Sequence, residues 1–153
     1  NLGDNAARKQ FRGILHFSTG GLPDTAIVVK ATLRIKRQGF VGANPFSTLG
    51  SLRVDMRKPY FGGTPALAVN DFQATAGRVA VATFSIMPVN TWYSAVLNLT
   101  GRTYINRVGA TQFRLRFTRD DNNDKVADYM KFFSGDYPTS SFRPILEIQY
   151  YIP

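Results

Sequence analysis

From Ile27 to Arg37 the side chains alternate. Val29, Ala31, Leu33 and Ile35 fall on one face, and Lys30, Thr32, Arg34 and Lys36 on the other. A period of two is the signature of a strand with one buried face and one wet face. The same alternation recurs at 111–119, where Phe113, Leu115 and Phe117 oppose Arg114, Arg116 and Arg119, and at 51–57, where Leu52, Val54 and Met56 oppose Arg53, Asp55 and Arg57. It is shorter but readable at 11–17, 79–86, 92–99, around 128–133, and at 144–151, where Leu146, Ile148 and Tyr150 face one way. Gly20-Gly21-Leu22-Pro23-Asp24, the glycine-punctuated stretch 39–50 and residues 59–65 read as turns or loops. Only 70–74, with Asn70 or Asp71 as a cap, and the surroundings of Tyr104 suggest a helical turn. Seven to nine short strands and no long helical period predict an all-β chain folded as one antiparallel β-sandwich. Its expected core holds Val29, Leu33, Ile35, Leu52, Val54, Phe113, Leu115, Phe117, Leu146 and Ile148.

Composition changes this picture in one respect. The 153 residues suit a single domain, 1–153, and 44% hydrophobic content excludes a disordered chain. There is no cysteine, so neither disulfides nor thiolate metal sites contribute. No apolar run approaches the ~20 residues that span a bilayer, and no signal peptide opens the chain. A first residue that is Asn rather than Met suggests a processed or excised piece. Charge is what stands out: 19 Lys and Arg against 10 Asp and Glu give a net +9. That excess favours polyanionic partners such as acidic polysaccharide, nucleic acid or an anionic cell envelope, unless it serves only solubility. The preference for Arg suits forked contacts to carboxylate, sulfate or phosphate.

Three constellations carry candidate chemistry. The outward cations Arg34, Lys36, Arg53, Arg57, Arg114 and Arg116 form one basic surface if their strands share a sheet. Tyr60 and Trp92, with Phe61, Tyr93 and Tyr137, are available to stack on sugar rings or bases, or else belong to the core. The stretch 120–128 gathers Asp120, Asp121, Asn122, Asn123, Asp124 and Asp128 in a chain otherwise short of acid. Asp120, Asn122, Asp124 and Asp128 are therefore candidate ligands for a structural calcium ion, which takes six to eight oxygens. Lys125 and Lys131 stand where an EF-hand needs Gly and Glu, so that motif is excluded; an Asx-rich turn neutralised by Arg119 and Lys125 is the other reading. Catalysis is not expected, because Glu147 and the lone His16 have no partners in any recognised acid–base or nucleophile pattern. Asn98-Leu99-Thr100 matches an N-glycosylation acceptor.

The ordered succession FRGILHF, GLPDTAIVVKATLRIKRQG, TQFRLRFTRDDNND, ADYMKFFSG and RPILEIQYY resembles the DNRLRE-type domains, carbohydrate-binding-module-like sandwiches of large bacterial secreted and cell-surface proteins. The resemblance covers most of the chain. It implies an extracellular, non-catalytic, jelly-roll-like module near the end of a larger secreted protein, with polysaccharide binding or surface attachment as its work and sometimes a structural calcium. It defines no sugar-binding residues that transfer by position. Such domains carry a further strand ahead of the point where this chain starts. A sandwich lacking a strand exposes unpaired backbone groups. The alternative expectation is therefore a filament subunit in which Asn1–Gln10 extends into a neighbour, against a monomer from which the strand was trimmed. Nucleic acid is the less favoured partner.

Overall fold

The alternation becomes ten strands in a computed structural model that describes Asn1–Pro153. In chain order these are β1 (Leu2–Asp4), β2 (Gln10–Phe11), β3 (Gly13–Ser18) and β4 (Ile27–Val41), then a one-turn helix α1 (Pro45–Thr48) and β5 (Leu52–Arg57). There follow β6 (Arg78–Thr83), β7 (Trp92–Val96), a short helix α2 (Leu99–Tyr104), β8 (Ala110–Phe117), β9 (Asp128–Phe132) and β10 (Ile145–Tyr151). Single 3-10 turns lie at Val69–Phe72 and Ser140–Phe142. The two helical turns expected from the sequence are thus present, the second as α2. It is capped by Asn98, whose Oδ1 accepts the Gly101 N–H at 2.9 Å.

Two antiparallel sheets result. One runs β10-β4-β9-β1-β2 with β7 also on β4, and the other runs β3-β8-β5-β6. β4 organises the first sheet. Thr32, Leu33 and Arg34 are paired on both sides, with β10 and with β7, and beyond Arg37 the strand pairs with β9. That last pairing carries β4 two residues past Gly39, where a loop was expected, because Gly39, Phe40 and Val41 find backbone partners in Lys131, Met130 and Tyr129. The inner faces interdigitate into one core that joins Ala31, Leu33, Ile35, Tyr93 and Met130 to Leu52, Val54, Phe113, Leu115 and Phe117. Full burial of such side chains contributes roughly 1.5–3 kcal/mol apiece.

The expected core is right except at its margins. Leu146 and Ile148 are half-buried on the edge strand β10. Val29 is 44% exposed. The β10 register steps from Lys30 to Val28, leaving Val29 as the extra residue of a bulge, so the alternation changes phase and Val28 turns inward instead.

Two further expectations meet particular geometry. Asn1–Gln10 is not a free arm: Leu2–Asp4 is paired on both sides within its own sheet, with β2 and β9, and Leu2 is fully buried. Nor is the outer face of the second sheet open. Residues 58–77 fold across it, burying Phe61 and Asp71, and the Phe61 N–H donates to Gln112 Oε1 at 2.8 Å. No helix is long and apolar enough to cross a membrane.

Candidate functional site

The basic side chains expected to form one surface are divided between the two sheets. Arg53, Arg57, Arg114 and Arg116 belong to β5 and β8 of the second sheet, and Arg34 and Lys36 to β4 of the first. Alternation gives the face of a side chain but not the sheet that its strand joins, which is why the sequence merged them.

Beneath the 58–77 cover, Arg114 is buried rather than solvent-facing. Its neighbour across the strands is Asp55, whose side chain is only 2% exposed. Arg116 Nε donates to Asp55 Oδ2 at 2.8 Å and its Nη2 to Oδ1 at 3.3 Å; Arg114 Nη2 donates to Oδ2 at 3.3 Å, and the Ala80 N–H to Oδ1 at 3.0 Å. Burial alone raises the Asp55 carboxyl, but Arg116, the Ala80 amide and Arg114 outweigh it and hold it below the usual carboxylate range. Arg114 Nη1 reaches the cover, 2.7 Å from Ala74 O, 3.2 Å from Asp71 O and 3.3 Å from Phe72 O, while its Nε is buried without a partner. The guanidinium also sits 4.5 Å over the Phe61 ring. Arg114 thus clasps the cover to the sheet, with Asp55 and Arg116 as its charged neighbours on the sheet. Arg53 stays exposed beside them, and Arg57 and Tyr60 are half-buried.

On the first sheet the expected residues do come together. Lys36 pairs with Trp92, and Arg34 with Ser94 and Ile145. The Arg34 guanidinium lies 5.2 Å and the Lys36 ammonium 5.3 Å from the Trp92 ring, and Lys36 is also 4.8 Å from Phe142. Phe142 packs with Phe133 and Tyr137, with centroids 4.9 and 6.2 Å away. Sequence spacing offers no reason to join residues 34, 92 and 142; the β4–β7 register and the 3-10 turn before β10 bring them into one aromatic and cationic strip. Phe61 and Tyr93, named as possible stacking rings, are core residues.

The acidic stretch forms a hydrogen-bonded loop around two buried carboxylates. Asp128 Oδ1 accepts the Ala43 N–H at 2.8 Å, and its Oδ2 lies 3.3 Å from Asn122 Nδ2, which also donates to Asp124 Oδ2 at 2.8 Å. Asp120 is turned away, exposed and 3.8 Å from Arg12. The sequence reading missed Asp4, which β1 sets opposite Asp128. Asp4 is fully buried and accepts the Asn122 and Asp128 N–H groups at 3.3 and 3.2 Å. Burial pushes its carboxyl above the ordinary range despite those amides, and the nearby Asp121 and Asp128 charges add to the rise. The two buried carboxylates that strand pairing brings together here are Asp4 and Asp128. No three acidic or His side chains converge in the manner of a metal centre. His16 is exposed, with Nδ1 3.3 Å from Gln112 Nε2.

Compared with known proteins, the chain matches no family model, no curated protein and no solved structure. The likeness to DNRLRE-type domains rests on the order of the segments alone.

Proposed function

We propose that the chain is a non-enzymatic, extracellular or cell-surface module that attaches its parent protein to an acidic glycan of a cell envelope. The observation that supports this best is the half-exposed strip of Arg34, Trp92, Lys36 and Phe142 on β4, β7 and the turn before β10. A ring flanked by cations suits an acidic sugar, since the apolar face of the pyranose stacks on the indole while its carboxylate or sulfate meets the charges. The +9 charge draws such polymers in from a distance and makes capture sensitive to salt. A structural calcium belongs to the same proposal, with the paired Asp4 and Asp128 carboxylates as its side-chain anchors and main-chain carbonyls or water as the other oxygens. The cation would supply only charge compensation for two buried carboxylates.

A glycan array carrying alginate, pectin, heparin and neutral polymers, read at two salt concentrations, tests the proposal. Binding to an acidic polymer should weaken at the higher salt and fall at least tenfold in Trp92→Ala. Tighter binding to DNA than to any glycan would transfer the surface to nucleic acid, and retention of full affinity by Trp92→Ala would remove the strip from consideration.

A further inference from the structure

A second cationic feature lies away from that strip. The start of β4, the end of α2 and the turn after it enclose a cleft of about 190 Å³, with Arg102 and Arg107 beside an apolar wall that includes Ala26 and Ile105. An adjoining hollow of about 260 Å³ shares Arg107, Thr103 and Ile105 and adds Lys58 and Asp24. The two guanidinium groups are held by main-chain carbonyls of one short stretch. Arg107 Nη1 donates to Ala26 O at 2.8 Å, and Arg102 Nη1 donates to Val29 O. A carbonyl orients a guanidinium without neutralising it. The ion pairs of the molecule all go elsewhere, to Asp55, Asp120 and Asp121, and Asp24 on the rim forms none. Arg102 Nε is buried and has no hydrogen-bond partner at all.

Two forks of donors are therefore fixed in direction at the wall of one small cleft, with uncompensated charge and a donor left over. An oxyanion supplies what is missing, because each fork can hold two oxygens and one negative group offsets the repulsion between both cations. The volume is that of roughly six waters, enough for a sulfate or carboxylate with part of its hydration. Lys58, next door and also 4.7 Å over the Tyr104 ring, extends the positive lining toward a second charged group.

We infer that this cleft is an oxyanion subsite that takes a sulfate or carboxylate group carried by an acidic polysaccharide; the polysaccharide as the source of the anion rests on the glycan reading above. Calorimetric titration of the intact chain with a sulfated oligosaccharide, an oligouronate, a neutral oligosaccharide and inorganic sulfate tests it. R102Q/R107Q should weaken the two charged oligosaccharides at least tenfold, flatten their salt dependence and leave the neutral one unchanged. R107Q alone alters an exposed side chain, so it reports on the cleft without risk to the fold, and a threefold or greater loss is expected. Affinities within twofold of the parent for both charged oligosaccharides in R107Q and R102Q/R107Q overturn the inference. The failures separate cleanly. Binding lost in Trp92→Ala but kept in R102Q/R107Q sinks the cleft and leaves the glycan reading. Inorganic sulfate bound through Arg102 and Arg107 by a chain that binds no oligosaccharide sinks the glycan reading and assigns the cleft to a free anion.

Discussion

Asp55 and Asp4 are both buried aspartates of a sheet, and the protein treats them in opposite ways. Asp55 lies between two arginines and an amide, and its carboxyl is held down. Asp4 lies beside a second aspartate with only backbone amides for company, and its carboxyl is pushed up. The difference teaches where the fold places its electrostatic tension. Around Asp55, charges of both signs are spent locally in holding residues 58–77 against the sheet. Around Asp4, negative charge is collected and left for amides, or a cation, to balance.

Removing the acid from the compensated side should have the largest effect. Asp55→Ala leaves Arg114 buried under the cover, beside the partly exposed Arg116, with no counter-charge, and breaking a buried pair in this way costs about 3–5 kcal/mol. Urea unfolding measures it; a loss below about 1 kcal/mol would mean that the clasp is solvated rather than buried. Asp4→Ala deprives the Asn122 and Asp128 amides of their acceptor, a loss of about 1–3 kcal/mol, lessened by relief of the like charge on Asp128.

Acidity sharpens the contrast because the two groups respond with opposite sign. Between the ordinary carboxylate range and the raised Asp4 value, the folded chain holds a proton that the unfolded chain lacks, so this contribution to stability falls as pH rises through that window. Asp55 contributes fully above the ordinary range and loses its contribution as pH falls through its depressed folded value. Mild acid should therefore relieve Asp4 while leaving Asp55 intact, and stronger acid should break the clasp. In Asp4→Asn the first limb disappears from a plot of unfolding midpoint against pH and the second remains. Survival of the first limb in that variant would assign it to another group.

Calcium should give the smallest change. By mass action it should raise the melting temperature a few degrees over the chelated protein in the parent but not in Asp4→Asn. Superimposable melts with calcium and with chelator would reduce the acidic stretch to a hydrogen-bonded loop.

The core was legible at Leu33, Ile35, Phe113, Leu115 and Phe117 because a buried strand face must repeat every second residue. Val29 escaped because a bulge changes the count without leaving a mark of its own. Arg114 looked exposed because its burial comes from residues 58–77, whose glycines and irregular backbone carry no period. Half of the acidic site was legible as a run of Asp and Asn. Asp4 lies 124 residues from Asp128, and only strand pairing brings the two together. The Trp92 strip and the Arg102–Arg107 cleft were illegible for the same reason.

The place of β1 also bears on how the chain comes into being. A strand made from Leu2–Asp4 needs β9, so that segment has no complete berth until Phe132 has emerged. Long-range closure of this kind is slow, on the order of milliseconds to seconds for sandwiches. The Leu2–Asp4 segment therefore stays unplaced while the residues between it and β9 are made, and a ribosome stalled before β9 would carry a chain that proteases can still cut at that segment.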